Sequence, residues 1–208
     1  MTEEIKHVKI VLIGECGVGK TSIISRYITD EFSNSVISSL TASFASKKTD
    51  LKLHKKTIQF DIWDTAGQEL FRSVNKIFYS DANIVILVYD ITNEKSFFEL
   101  KNYWYKEILN NGEKNIIFGI AGNKNDLFDK EKIKEEIVRN WAKEINAIFY
   151  LTSAKNKNGI DELFEEIGKK YLNKEFQSEL QLNKKNDNDN DLINLSVDNN
   201  GKNKKKCC

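Results

Sequence analysis

"GECGVGKTS", Gly14–Ser22, lies between the apolar run HVKIVLI and the helical pattern IISRYITDEF. Gly14, Gly19, Lys20 and Thr21 fit the spacing G-x-x-x-x-G-K-[ST] in a strand–loop–helix setting. There the successive backbone N–H groups of Glu15, Cys16, Gly17, Val18 and Gly19 can wrap a β-phosphate. The helix that Lys20, Thr21 and Ser22 open aims its positive end at the same charge. A side chain at Gly19 would obstruct that approach. Lys20 is placed to neutralise β- and γ-oxygens, and the Thr21 hydroxyl is placed to bind Mg²⁺. A plain polar turn is the competing reading, which the flanking strand and helix disfavour.

Outward from this loop, apolar runs of strand length alternate with 3.6-periodic segments. The expected strands are Val8–Ile13, Ser43–Leu53, Thr57–Trp63, Ile84–Tyr89, Ile116–Gly122 and Ala147–Leu151. The expected helices are Lys20–Thr29, Phe71–Tyr79, Glu94–Leu109, Lys132–Asn146 and Gly159–Leu172. Runs such as IVILVY are apolar throughout, as strands buried on both faces must be. The alternation predicts an α/β domain with a six-stranded, mostly parallel sheet and about five flanking helices. Ligands then belong at the carboxyl ends of the strands. Only HKK separates the second and third strands, so they should form a hairpin with the second antiparallel to the rest.

At 208 residues, with 40% hydrophobic and 30% charged residues, the chain has an ordinary globular balance. A net charge of +1 makes no bulk electrostatic case for nucleic acid. No apolar run is long enough to span a bilayer, and MTEEIKHVKI lacks a signal-peptide core. Of three cysteines, Cys16 sits in the glycine loop and Cys207 and Cys208 end the chain, which is no disulfide framework. His7 and His54 are isolated, so no zinc site is expected. From Asn173 onward Asn, Lys and Asp dominate, so residues 1–172 read as one domain and 173–208 as a disordered tail. As a flexible coil that tail would span on the order of 30 Å.

Two further strings fall at strand ends. In GNKND, Gly122–Asp126, Asp126 can accept the ring N–H and exocyclic amine of guanine, a pair adenine does not present. Asn123 can bond the base or tie this loop to the glycine loop, and the Lys124 stem can lie along the ring. In TSAK, Thr152–Lys155, which carries Ser153, the Ala154 N–H can meet the guanine oxygen, with Lys155 beside it. In DIWDTAGQE, Asp61–Glu69, Asp64 ends a strand where a carboxylate can reach Mg²⁺ through water. Gly67 can offer an N–H to a γ-phosphate, and Gln68 can orient an attacking water.

Together these residues resemble the Ras-like small GTPases, and specifically the Rab branch. The resemblance runs from about Lys6 to Leu172 and rests on GECGVGKT, WDTAGQE, GNKND and TSAK, in that order. VYDITNEKSF and LTASF are most similar to the early-endosomal Rabs. The resemblance implies the P-loop small GTPase fold, GTP or GDP with Mg²⁺, and Phe32 stacked edge-on to guanine. It implies an effector surface of Phe44, Trp63 and Phe78, for which core packing is the alternative. It also implies an exchange factor, a GTPase-activating protein, a dissociation inhibitor, an escort protein and effectors. A monomer is expected, divided between the cytoplasmic face of endosomal or vesicular membranes and a cytosolic pool.

The pattern departs from the family in places. A threonine eighteen residues after the Mg²⁺-binding hydroxyl becomes Ser39, in Ser39-Leu40-Thr41 where Thr-Ile-Gly is usual. Serine keeps the ligating hydroxyl, although a slipped loop would put Thr41 there instead. Cys16 sits where the family takes small residues, beside the γ-phosphate, either as a reactive thiol or as a tolerated small side chain. Leu70 replaces the usual arginine. The ending KKKCC is no C-a-a-X box, but it resembles the Rab substrate for double geranylgeranylation on Cys207 and Cys208. Lys204–Lys206 would add attraction to anionic lipid. LINLSV, Leu192–Val197, resembles the motif by which Rabs engage escort protein and dissociation inhibitor, or it is a chance apolar island.

The expected activity is slow GTP hydrolysis timing a membrane-traffic switch, with Gln68 and Lys20 in catalysis and no arginine in cis. A hydrolysis-poor, nucleotide-bound interaction module is the alternative. A metabolic P-loop kinase is disfavoured, because no acceptor-binding insertion is visible.

Overall fold

Strand β1 (Lys6–Ile13) shows why the sheet sits at the centre of the molecule. Its residues alternate between two buried faces: Val11 and Ile13 join one core cluster, while the fully buried Ile10 and Leu12 turn to the other side. The computed structural model describes residues 5–33, 43–51, 56–65, 79–113 and 115–178. After β1 come α1 (Lys20–Thr29), β2 (Ser43–Leu51), β3 (Lys56–Asp64) and β4 (Ile84–Asp90). Helix α2 (Glu94–Glu99) passes through a π turn at Leu100–Trp104 into α3 (Tyr105–Asn111). Then follow β5 (Ile117–Asn123), a 3₁₀ turn at Asn125–Lys130, α4 (Glu135–Glu144), β6 (Ile148–Leu151) and α5 over 160–169.

The six strands run in the order β2-β3-β1-β4-β5-β6. Only the β2–β3 pair is antiparallel, so β1, β3, β4, β5 and β6 all end at one rim. Register sets the site's spacing there. Asp64 pairs with Leu12, Asp90 with Asn123, and Leu151 with Gly122, which puts Thr152 level with Asn123.

One face of the sheet packs Val85, Leu87, Phe118 and Ile120 against Phe97, Leu100, Trp104, Val138 and Trp141. In α4 the buried residues Val138, Trp141 and Ala142 recur at helical spacing. On the other face Tyr27 stacks on Phe164 with ring centroids 3.8 Å apart, and Phe60 approaches the same ring at 6.1 Å. Each fully buried Ile or Val contributes about 1.5–3 kcal/mol relative to exposure, so the core readily supports a rim of polar loops. The Tyr27 hydroxyl also shares a hydrogen bond with Thr49 of β2 at 2.8 Å. Burial pushes its pKa up to about 12, against a smaller lowering from the Thr49 bond.

The fold matches the expected α/β class, with small shifts at element ends. The expected helix Lys132–Asn146 shortens to Glu135–Glu144, and the 3₁₀ turn after GNKND carries no apolar period that would announce it. The chain divides into two units, Met1–Lys169 and Lys170–Cys208. In the second, residues 170–178 are helical, so helix extends beyond the expected end at Leu172. Once nucleated, a helix propagates cheaply through residues such as Lys174, Glu175 and Gln177. Ser39, Thr41, Gly67, Gln68, Leu70, Phe78, Leu192–Val197, Lys204–Lys206, Cys207 and Cys208 lie outside the described residues, as does most of Phe71–Tyr79. Among the described residues no helix is long and apolar enough to cross a membrane.

Candidate nucleotide site

Helix α1 buries Lys20, Ile23, Ile24 and Tyr27, the i, i+3, i+4, i+7 stripe of an amphipathic helix. Lys20 therefore occupies a core-facing position, and its charge is turned inward by the helix itself. Its Nζ donates to the carbonyls of Gly14 at 2.8 Å and Glu15 at 3.0 Å, folding the side chain over its own loop. Burial pushes the Lys20 ammonium below its ordinary range, although Asp64, Cys16 and Glu15 pull the other way. Gly19 takes φ 96° as the N-cap of α1, and a Cβ there would lie 2.3 Å from Asn123 Nδ2. At Gly14 a Cβ would meet the Val88 carbonyl oxygen at 2.1 Å. Both glycines are needed for the loop to nest between β1, β4 and β5.

On the β3 side, Thr21 Oγ1 donates to Asp64 Oδ2 at 2.5 Å, and Asp64 is only 1% exposed. Thr65, just past the end of β3, donates to the Leu12 carbonyl at 2.7 Å. On the β5–β6 side, Asn123 Nδ2 donates to the Val18 carbonyl at 2.8 Å, and Thr152 Oγ1 donates to Asn123 Oδ1 at 3.4 Å. Of the two roles open to Asn123, the structure displays the tie to the glycine loop. Ser153 Oγ donates to Asp126 Oδ1 at 2.6 Å and accepts from the Asn156 N–H at 3.1 Å. Lys124 takes a left-handed φ of 68°, and its Nζ pairs with Asp90 Oδ2 at 2.6 Å, which pins the stem.

Beside these groups opens a cavity of about 430 Å³ lined by Gly17, Gly19, Ser22, Phe32, Ser33, Asn123, Lys124, Asp126, Leu127, Ala154 and Lys155; Lys20, Thr21 and Asp64 are not part of its lining. The glycine loop, the aromatic Phe32 and both strand-end strings thus meet at one opening. Cys16 is exposed. Phe44 and Trp63 meet edge to face at 5.1 Å across β2 and β3, away from the cavity. Phe44 is 55% exposed there, which makes it surface rather than core.

With this geometry in place, comparison with known proteins is decisive. The family model described as Ras family matches residues 9–173. The chain belongs to the Ras family. Human Ras-related protein Rab-22A is 44% identical over 168 residues, covering 80% of this chain and 84% of the relative. Human Rab-31 is 41% identical over 79% of this chain and 83% of its own length. Bos taurus Rab-21 is 43% identical over 79% of this chain and 72% of its own. All three are Ras-related Rab proteins, the branch that the sequence resembles. Ras-family proteins of the Rab type are GTPases, and this chain is one.

In this Ras-family chain two site-building residues lie outside every motif. Arg26 Nε donates to the Ala154 carbonyl at 2.7 Å and one terminal nitrogen donates to the Lys155 carbonyl at 3.1 Å. Trp104, the last residue of the π turn, donates its indole N–H to Glu15 Oε1 at 2.9 Å. Neither is legible from one sequence: Arg26 reads as a polar-face residue of α1, and Trp104 as core. A π turn leaves no compositional mark by which to foresee the second contact.

Proposed function

We propose that the chain is a Rab-type GTP/GDP switch in endocytic membrane traffic, hydrolysing GTP slowly until a partner accelerates it. The observation that carries the reading is the single cavity onto which the glycine loop, Asp126 and Ala154 converge. Asp126 accepts from the N1–H and amino group of guanine, Ala154 donates to its oxygen, and Phe32 covers an edge. Lys20 bears negative charge developing on the phosphates, and Gln68 orients the attacking water. Gly67 reports loss of the outermost phosphate by releasing its loop.

The residues present suit Mg²⁺. The Thr21 hydroxyl and the Asp64 carboxylate lie together at the end of β3, and hydroxyl and carboxylate oxygens are the hard donors that Mg²⁺ takes. Thr21, Asp64 and Ser39 would hold it, and it would neutralise charge between the outer phosphates. Phe44, Trp63 and Phe78 form the face that effectors read, and Cys207 and Cys208 carry the lipid that returns the protein to membranes.

The deciding experiment identifies the nucleotide retained on purification and follows single-turnover hydrolysis. Guanine nucleotide with a half-life of many minutes is expected; retained ATP or fast unaided turnover would overturn the proposal. Imaging a Cys207→Ser, Cys208→Ser variant beside the native chain tests the membrane arm, with loss of all vesicular signal expected.

A further inference from the structure

The loop after β6 is gripped from behind by a side chain on α1. Arg26 donates Nε–H to the Ala154 carbonyl at 2.7 Å and one terminal nitrogen to the Lys155 carbonyl at 3.1 Å. The other terminal nitrogen donates to the Asp30 carbonyl at 2.6 Å and to Asp30 Oδ1 at 3.2 Å. Asp30 is braced in turn by Lys157 Nζ at 3.2 Å, and the Arg26 side chain is only 15% exposed. A guanidinium is planar and its donors form a rigid fork, so two carbonyls held at once fix two successive peptide planes.

That matters because C=O and N–H point in opposite directions across a trans peptide. With the Ala154 carbonyl turned to Arg26, the Lys155 N–H of the same peptide is turned away from α1. With the Lys155 carbonyl held, the Asn156 N–H reaches Ser153 Oγ at 3.1 Å, whose hydroxyl donates to Asp126 Oδ1 at 2.6 Å. One side chain thus sets the two peptide planes that carry the Lys155 and Asn156 N–H groups, next to the cavity lining at Ala154 and Lys155, and steadies the Ser153–Asp126 contact beside it.

We propose that Arg26 is a specificity-positioning residue, holding the 153–155 backbone so that its amides meet the 6-oxo group of the bound purine. This rests on the guanine reading given above. Arg26 acts through the loop it holds, and the expected signature is selective for one side of the base.

The test measures affinities of the full chain for GDP, for inosine diphosphate, which lacks the 2-amino group, and for 2-aminopurine riboside diphosphate, which lacks the 6-oxo group and with it the N1 hydrogen. In Arg26→Gln, GDP and inosine diphosphate should each weaken by about tenfold, as for one hydrogen bond to the base misplaced. The 6-deoxo analogue should change by less than about twofold, and Arg26→Lys should recover part of the loss because it satisfies one carbonyl. Equal losses for all three nucleotides, or none, would overturn the role of Arg26 alone. A native chain that binds the 6-deoxo analogue as tightly as GDP would overturn the guanine reading and this inference with it. Circular dichroism checks folding. Should Arg26→Gln not fold, Arg26→Lys carries the same three-way comparison, and equal losses there count against the proposal.

Discussion

The two ends of the nucleotide cavity are built on different physics. At the base end, side chains and backbone carbonyls are stitched into fixed pairs: Asn123 to Val18, Thr152 to Asn123, Ser153 to Asp126, Arg26 to Ala154 and Lys155. At the phosphate end, charges are held in place at a cost. Lys20 is buried on the core face of α1 with its proton affinity depressed, and its ammonium rests on two carbonyls of its own loop. The base end is ordered by paired side chains, whereas the phosphate end is dominated by one buried cation. Affinity and recognition are therefore separable by mutation.

The largest effect should come at the charged end. Lys20→Ala removes the buried cation and should weaken GDP and GTP by about a thousandfold, since charge-assisted contacts to phosphate are the strong ones. Base preference among the surviving binding should be unchanged in a competition assay. Next, Asp126→Asn replaces an acceptor with a donor opposite the guanine amine and should cost about a hundredfold for GDP. Its preference should move toward xanthosine diphosphate, and calorimetry with both nucleotides reads this directly. If either variant shows the other's signature, the division between the ends fails.

Asn123→Ala cuts the bond that joins the ends. GDP should dissociate about tenfold faster, and stability should fall by about 1–3 kcal/mol in denaturant unfolding, because the Val18 carbonyl loses a buried partner. Trp104→Phe removes the indole donor to Glu15 at the phosphate end, together with some buried ring volume. It should speed release by no more than about fivefold, with guanine-over-inosine preference intact.

The smallest effect is a pH dependence at the foot of the helix that carries Arg26. Tyr27 has its folded-state pKa raised from 10.0 to about 12. The folded state therefore holds the proton more tightly, so this stabilisation is complete below pH 10 and lost as pH rises toward about 12. Chemical unfolding across that window should show the decline, and Tyr27→Phe should flatten it.

How much of this was legible beforehand follows the same division. Chemical identity at fixed spacing is written in sequence, so Gly14, Gly19, Lys20, Thr21, Asp64, Asn123 and Asp126 were readable, as were the six strands and the antiparallel second one. Lys20 even betrays its burial by falling on the Ile23, Ile24, Tyr27 stripe. What was not readable is support from a distance. Arg26 acts on carbonyls some 128 positions away, and Trp104 reaches Glu15 across 89. Such contacts depend on backbone geometry and carry no residue pattern of their own. The 3₁₀ turn at Asn125–Lys130 was missed for a related reason: it buries no residue, so hydrophobic periodicity says nothing about it.

The π turn at Leu100–Trp104 has a practical consequence. By widening one turn of the helix it leaves an indole touching the loop that receives phosphates. Indole emission is sensitive to nearby charge and hydration, so nucleotide exchange should be visible in the protein's own ultraviolet fluorescence. The molecule carries its own optical gauge of loading, needing no attached dye.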